Sequence, residues 1–181
     1  IKKIALAPER NGVKEFVETV TDEGVVVALG HSNATLEEAD VAVEAGASVF
    51  VHAYNGMRGL NHREPGMVGA LLTLQHVFSE LICDGHHVHP QAAEVLMEKA
   101  GHDHVALITD CMMAGGMPDG NYNLGEFPVV VAEGTARLDT GNLAGSILKL
   151  KEAIKNVVDW GIATPAQAIM MASLVPAIKI G

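Results

Sequence analysis

The sequence predicts an α/β fold that forms part of a parallel (β/α)8 barrel, comprising the later strands of such a barrel. Short apolar runs alternate along the chain with stretches of helical periodicity, a pattern that favours a parallel sheet with crossover helices. Four of the runs end in a polar residue, at the position where such barrels carry their functional side chains. The chain has 181 residues and about five strand–helix units, whereas a complete barrel needs roughly 250 residues. We therefore expect a partial barrel.

The first half of the chain predicts three strands that alternate with two helices. Apolar and β-branched runs predict strands at 4–7, 25–29 and 48–51, and helical spacing predicts a first helix at 13–21. The second helix begins at Asn33 or Thr35, because acidic side chains follow where the positive end of the helix dipole favours them. Its apolar residues recur at the helical period, at Leu36, Ala39, Val43 and Ala47.

The second half predicts two more strand–helix units, a β insertion and two closing helices. Residues 68–74 predict a helix, 80–82 a short strand and 105–108 a further strand. Pro90 suits the first turn of a helix that runs to Lys99. Residues 121–138 combine alternation with turn glycines, which favours a β excursion from the barrel. The last two predicted helices lie at 146–159 and 165–172.

Composition excludes several classes of partner. The formal net charge of −10 argues against a nucleic-acid binder, and aromatic residues, at 4% of the chain, are too few for base-stacking surfaces. No apolar run approaches the ~18 residues of a membrane span. The two cysteines, Cys83 and Cys111, suit a reducing cytoplasm. Nine histidines in an acidic chain indicate metal or acid–base chemistry.

Polar side chains capable of binding a metal follow four of the predicted strands. They are His31, His52, the Asp84/His87 segment and Asp110. Because the carboxyl ends of barrel strands converge on one site, these residues predict a mononuclear metal hydrolase centre. A single histidine at a strand end is more often structural. The interpretation therefore depends on several such residues occurring at the ends of different strands. The other histidines are interpreted as structural or loop residues, with His76 inside a helix and the rest at His62, His86, His89, His102 and His104.

Seven short motifs, in one consistent order, give the chain a specific resemblance. They are Leu-Ala-Pro-Glu (6–9), Gly-His-Ser-Asn-Ala-Thr (30–35), His-Ala-Tyr-Asn-Gly-Met (52–57), Arg-Glu-Pro-Gly (63–66), Asp-Gly-His-His-Val (84–88), Thr-Asp-Cys-Met-Met-Ala-Gly-Gly (109–116) and Leu-Ala-Gly-Ser (143–146). Together they resemble the N-acetylglucosamine-6-phosphate deacetylase family of the amidohydrolase superfamily. The motifs extend over almost the whole chain.

The resemblance implies a catalytic centre with one divalent metal ion. His31 and His52 match the family's two metal-binding histidines. Asp110 matches the carboxylate that takes a proton from the attacking water and passes it to the leaving amine. We expect zinc first, with iron, cobalt or manganese as alternatives that the same ligands accept.

The resemblance also implies a phosphosugar site shared between two subunits. Arg63 matches an arginine that reaches the substrate phosphate from the neighbouring subunit of a homodimer. Its guanidinium fork suits a phosphate. The remaining matches to substrate-binding positions are Asn55, Gly56, Asp84, Gly85, His86, His87, Leu143, Ala144 and Gly145. The implied reaction converts N-acetylglucosamine 6-phosphate to glucosamine 6-phosphate and acetate.

The chain also departs from the family pattern. The family's metal-binding carboxylate belongs to a segment before residue 1, and Glu9 is interpreted as a buried structural partner instead. Residues 1–181 are therefore expected to be the C-terminal portion of the barrel, with the early strands and a β-sandwich domain outside it. Two alternatives remain: an amidohydrolase that acts on another N-acetylated aminosugar phosphate, and a non-catalytic fragment.

Overall fold

The computed structural model describes residues 1–181 and contains a sheet of five parallel strands. The strands lie side by side in the order in which they occur along the chain. They are β1 (Lys3–Leu6), β2 (Val26–Leu29), β3 (Val49–Phe50), β4 (Phe78–Ile82) and β5 (Val105–Ile108). Every neighbouring pair is parallel, so all five carboxyl ends lie at the same edge of the sheet. The predicted partial barrel is confirmed.

Four helices connect successive strands of this sheet, and three more follow the last strand of the chain. They are α1 (Val13–Asp22), α2 (Leu36–Glu44), α3 (Gly66–Thr73), α4 (Pro90–Ala100), α5 (Leu150–Asp159), α6 (Pro165–Ala172) and α7 (Leu174–Ile180). Thr35 caps α2, since its side chain accepts a hydrogen bond from Glu38 N while the Glu38 carboxylate accepts one from Thr35 N. Of the two predicted starts of this helix, Asn33 and Thr35, the structure has Thr35 as the N-cap residue.

The predicted β excursion forms a separate antiparallel sheet between β5 and α5. Its strands are β6 (Gly120–Leu124), β7 (Phe127–Ala132) and β8 (Thr135–Leu138), joined in sequence order. Val129, Val131 and Ala136 face a small apolar cluster on one side of this sheet. Val130 lies on the opposite face and is exposed. Alternation with a period of two therefore gives this sheet one buried face.

Three local predictions are corrected by the structure. Residues 146–149 are not helical, because Ser146 lies in a parallel bridge with Cys111, and α5 begins only at Leu150. The last helix, α7, was not predicted. His76 does not lie inside a helix: it is exposed, has a φ of 63° and belongs to the connection between α3 and β4.

The main core lies between the sheet and the helices, and the opposite face of the sheet is thinly covered. Side chains such as Leu29, Phe50 and Leu81 join a cluster of 29 buried residues on the helix side. On the other face, only three buried residues, Ala28, Val49 and Val51, form a cluster. Most apolar burial therefore anchors the helices and leaves the strand ends free to carry polar groups. None of the helices is both long and apolar enough to span a bilayer.

Candidate active site

Three of the predicted site residues share an unusual backbone conformation after neighbouring strands. His31, His52 and Asp110 each lie two residues beyond the last residue of β2, β3 and β5. Their φ angles are 47°, 30° and 48°, in the left-handed region that residues with side chains seldom adopt. Three other non-glycine residues in the chain share this feature. Strain of this kind is frequent at functional sites, and here it falls on three of the residues predicted from the sequence.

The side chains of His31 and His52 meet at the carboxyl ends of β2 and β3. Their rings lie edge to face, with 4.6 Å between the centroids and 89° between the planes. His52 is 9% exposed, and its Nδ1 is the one buried side-chain polar atom in the chain without a hydrogen-bond partner. A buried nitrogen without a partner is costly, and it is typical of a position that receives another group.

Two glycines allow the loops around this histidine pair to approach each other. A Cβ atom on Gly30 would lie 2.1 Å from Cγ2 of Val51, so no larger residue fits before His31. Gly56 has a φ of 57°, and a Cβ there would lie 3.2 Å from Nδ1 of His31. Ser32 N also donates to Gly56 O at 2.8 Å. Gly56, a predicted substrate-binding residue, therefore lies beside His31.

Glu9 holds the loop that follows His31. Its carboxylate accepts hydrogen bonds from Ser32 Oγ at 2.7 Å and from Asn33 N at 3.0 Å. Partial burial alone would raise the pKa of Glu9, but these hydrogen bonds and nearby Arg10 outweigh burial and lower the pKa below its ordinary value. The carboxylate therefore stays charged in a structural role, which agrees with its interpretation from the sequence.

Glu64 plays a similar part in the loop that carries Arg63. Its Oε1 accepts hydrogen bonds from Leu36 N at 2.9 Å and from Gly66 N at 3.0 Å. Those bonds are the largest cause of a lowered pKa for Glu64. They fasten the Arg63 loop to the start of α2. Arg63 itself is exposed, and its guanidinium group has no hydrogen bond or ion pair within the chain.

The side chain of Asn55 is turned back onto its own loop. Its Nδ2 donates to the carbonyl oxygens of His52 and Ala53, at 3.3 Å and 3.1 Å. The Asn55 amide nitrogen is therefore occupied in the chain as it stands, while its carbonyl oxygen makes no hydrogen bond. Asn55 and Gly56 thus belong to the loop beside the histidine pair.

The segment after β4 forms a turn around a buried carboxylate. Asp84 Oδ1 accepts from the backbone N–H groups of His86 and His87, both at 2.8 Å. Its Oδ2 lies 2.6 Å from His87 Nδ1. Gly85 has a φ of 79° and lies near the Trp160 ring. His86 is exposed and, with Asp84, borders a cavity of about 310 Å³ that extends to α5.

Asp110 lies beside the Leu143–Gly145 segment, which the family resemblance matches to substrate-binding positions. Ser146 N donates to Asp110 O at 2.8 Å, and a Cβ on Gly145 would lie 3.1 Å from that same oxygen. Ala144 is 3% exposed, while Leu143 pairs with Arg137 in an isolated bridge. The Asp110 side chain is exposed and has no hydrogen bond or ion pair. The structure thus brings these distant segments together.

The histidine pair fits two positions of a metal centre. Two imidazoles, one with an unpartnered buried nitrogen, are suitable donors for a divalent metal ion. The chain does not bring three or more His, Cys, Asp or Glu side chains together as a complete ligand set. The two histidines are therefore the imidazole donors that this chain supplies at the carboxyl ends of β2 and β3.

Sequence reasoning missed several residues that hold the site in place. Glu64 belongs to the motif Arg-Glu-Pro-Gly (63–66), but no role of its own was predicted for it from the sequence. Ser146 is buried, and its Oγ donates to Thr109 O and accepts from Leu148 N. Ser32 links Glu9 to the His31 loop. These roles depend on partners far apart in the sequence, which periodicity does not reveal.

Comparison of the sequence with known proteins identifies relatives of this chain. No protein-family model matches it. An N-acetylglucosamine-6-phosphate deacetylase from Vibrio furnissii is 48% identical over 179 residues, covering 99% of this chain and 45% of the relative. An Escherichia coli (strain K12) relative, named for the corresponding N-acetylgalactosamine 6-phosphate deacetylation, is 52% identical over 131 residues, covering 72% of this chain and 78% of the relative.

Comparison with solved structures finds a protein of the same kind with a closely similar fold. A mutant of the N-acetyl-D-glucosamine-6-phosphate deacetylase from Mycobacterium smegmatis, in complex with N-acetyl-D-glucosamine-6-phosphate, matches with a TM-score of 0.95 and 34% sequence identity. The match covers 100% of this chain and 49% of that one.

The fold and the strand-end site define the class as an amidohydrolase-type (β/α)8 barrel. The chain belongs to the N-acetylglucosamine-6-phosphate deacetylase family, as its resemblance implied. It spans about half the length of relatives such as the Vibrio furnissii and Mycobacterium smegmatis proteins, at 45% and 49%.

Proposed function

We propose that the protein containing this chain hydrolyses the N-acetyl amide of N-acetylglucosamine 6-phosphate, giving glucosamine 6-phosphate and acetate. The observation that carries the proposal is the edge-to-face pair of His31 and His52 at the ends of adjacent strands, in a chain 48% identical to a deacetylase with that name. Asp110 follows β5 at the same edge of the sheet, and Gly56 lies in the loop after β3.

The proposed reaction needs an electrophile, a base and an acid. An amide carbonyl is a weak electrophile with a poor leaving group, and a bound divalent metal ion supplies Lewis-acid polarisation and a lowered pKa for water. His31 and His52 would hold that ion. Asp110 accepts a proton from the attacking water and then delivers it to the departing nitrogen, so that one carboxylate serves as base and acid. Its exposed, unpaired side chain leaves it free for both transfers.

The proposed substrate contacts surround that centre. Arg63 is a free cation on a loop fastened by Glu64, and its fork suits the two oxygens of a phosphate. Gly56 offers close backbone approach next to His31. His87 and the Leu143–Gly145 segment would contact the sugar, the latter beside Asp110. The same proposal includes a homodimer in which Arg63 reaches the partner's substrate.

The resident metal is proposed to be zinc, with iron, cobalt or manganese accepted by similar ligands. A cytoplasmic location is proposed with it, and the two cysteines, one buried and one exposed and neither in a disulfide, support a reducing compartment.

Acetate release by the purified full-length protein tests the proposal. N-acetylglucosamine 6-phosphate should be deacetylated far more efficiently than unphosphorylated N-acetylglucosamine. Elemental analysis of the same sample would identify the metal, and its mass in solution would give the oligomeric state. Failure to release acetate from the phosphosugar, with metal bound, would reject the function. Failure of residues 1–181 alone to react would agree with a non-catalytic fragment.

A second substrate has its own support. The Escherichia coli (strain K12) relative is named for N-acetylgalactosamine 6-phosphate and shares 52% identity with this chain. The two sugars differ in the configuration of one hydroxyl group, so the same amide chemistry serves both. The ratio of kcat/KM for the two phosphosugars, measured in one preparation, decides between them. A ratio that favours the galactosamine compound would replace the first substrate and keep the reaction.

A further inference from the structure

The Asp84–His87 pair is a buried carboxylate–imidazole contact close to the proposed sugar site. The distance from Asp84 Oδ2 to His87 Nδ1 is 2.6 Å, and the two side chains are only 10% and 7% exposed. The pair follows β4, the strand between those that precede His52 and Asp110. It therefore belongs to the same edge of the sheet as the proposed reaction centre.

Every oxygen of Asp84 already has a partner within its own turn. Oδ1 accepts from His86 N and His87 N, and Oδ2 contacts the His87 ring. Burial alone would raise the pKa of Asp84, but the hydrogen bonds from His87 and His86 outweigh it, so the pKa lies below its ordinary value. Asp84 is thus a charged hydrogen-bond acceptor whose oxygens face the protein.

The surrounding elements fix this turn in place. Asn156 in α5 donates from Nδ2 to the carbonyl oxygen of Cys83 at 2.8 Å. The side chain of His89 accepts a hydrogen bond from Gln91 N at the start of α4. Hydrogen bonds therefore hold the residues on either side of the turn, Cys83 to α5 and His89 to the start of α4.

The other ring nitrogen of His87 is available to a ligand. Its Nε2 forms no hydrogen bond within the chain. It is not a buried unpartnered atom either, because His52 Nδ1 is the only such side-chain atom. His87 Nε2 therefore reaches accessible space. Which ring nitrogen carries the proton is set by the partner of the other, and a carboxylate at Nδ1 requires the proton there.

We propose that Asp84 is a positioning residue that selects the Nδ1–H tautomer of His87 and so presents an unprotonated Nε2 as a hydrogen-bond acceptor for a sugar hydroxyl group. The inference rests on the proposed function for the identity of the ligand. The proton on His87 Nδ1 follows from the Asp84 contacts alone. Asp84 then acts through His87 instead of binding the substrate directly.

The substitution Asp84→Asn tests this arrangement because the backbone dictates the orientation of the new amide. The two backbone N–H groups at Oδ1 require an oxygen there, which leaves the NH₂ group facing His87 Nδ1. That NH₂ group is a donor, so Nδ1 must accept and the proton moves to Nε2. The variant therefore reverses the tautomer while keeping the shape of the turn.

Nitrogen NMR of the full-length protein, labelled with ¹⁵N in histidine, reads the tautomer directly. In the wild type at a pH where His87 is neutral, Nδ1 should give the protonated-type resonance and Nε2 the unprotonated type. Asp84→Asn should exchange the two. Asp103→Asn is the matched control, because Asp103 contacts His104 Nδ1 in a similar pair at 3.2 Å, exposed and before β5. It should leave the His87 resonances unchanged.

Kinetics supply the second measurement. Asp84→Asn should lower kcat/KM for the phosphosugar about 10- to 100-fold, as losses of such supporting hydrogen bonds do, and Asp103→Asn should not. In a His87→Ala background, Asp84→Asn should have no further effect. A wild-type His87 with its proton on Nε2, or independent multiplicative effects of the two substitutions, would overturn the inference. If the wild type released no acetate, the proposed function would fail, while the NMR result would still decide the tautomer.

Discussion

The two ends of the parallel sheet are built differently. Near the amino ends, Lys3 at the start of β1 forms an ion pair with Glu80 in the middle of β4, and Lys179 donates a hydrogen bond to Ser48 Oγ. Lys179 also lies 5.0 Å from the centre of the Phe78 ring. At the carboxyl ends, His52 has a buried nitrogen without a partner and Asp110 has no partner at all.

The backbone follows the same division. The left-handed residues that follow β2, β3 and β5 all lie at the carboxyl edge. The loops after β2 and β3 are joined there by the hydrogen bond from Ser32 N to Gly56 O. The strained residues and the unpartnered groups of His52 and Asp110 lie at the carboxyl edge, beside paired groups such as Asp84 and His87. In barrels of this class the carboxyl edge carries the chemistry, so catalytic groups and groups that stabilise the sheet can lie at different ends of the same strands.

The largest change in activity is predicted for a substitution of Asp110, at the carboxyl edge of the sheet. In the full-length protein, Asp110→Asn should bind metal and substrate but lower kcat by about 10²- to 10⁴-fold, because an amide cannot transfer the proton. Steady-state acetate release, with metal content measured in parallel, checks this. Turnover close to that of the wild type would mean that Asp110 has no part in proton transfer.

The next effect tests Arg63 on the same edge. Arg63→Ala should raise KM for the phosphosugar about 10- to 100-fold, since a charge-assisted hydrogen bond contributes about 1.5–3 kcal/mol. The change for an unphosphorylated analogue should be much smaller. Arg137→Ala is a suitable control, because Arg137 Nη1 donates to Gly141 O and is thereby engaged within the antiparallel sheet. Equal effects of Arg63→Ala on both substrates would remove Arg63 from the phosphate site.

The amino edge should respond in stability and not in chemistry. Glu80→Gln removes the charge that faces Lys3, in a pair whose side chains are 19% and 29% exposed. We expect a loss of about 1–3 kcal/mol in the free energy of unfolding, between the values for exposed and buried pairs. Urea denaturation measures the loss, and kcat of the folded protein should stay the same. A large fall in kcat without a stability change would contradict the division between the two edges.

The sequence predicted the strand ends well because each parallel strand is an apolar run that stops visibly before a polar residue. Thr35 was one of the two predicted starts for α2, since its capping partner Glu38 is only three residues away. The start of α5 was predicted wrongly, because the bridge from Ser146 to Cys111 joins residues 35 positions apart. Glu64 was missed for the same reason, since its acceptor contact with Leu36 spans 28 positions. Contacts between residues a few positions apart can therefore be predicted from the sequence, whereas pairing between distant residues cannot.

The smallest effect concerns Glu9, a carboxylate at the carboxyl edge that we interpret as support. Its pKa in the folded protein lies below the ordinary value of 4.5, so its charge stabilises the fold above that pH. That stabilisation is lost as the pH falls from the unfolded pKa through the folded one. Glu9→Gln should therefore lower the unfolding free energy near neutral pH slightly, and the difference from the wild type should disappear in acid. Urea denaturation at several pH values checks the sign. Because Glu9 contacts Ser32 and Asn33, which have no proposed part in the reaction, kcat should change little. A loss of activity comparable to that of Asp110→Asn would place Glu9 in the reaction itself and end its structural interpretation.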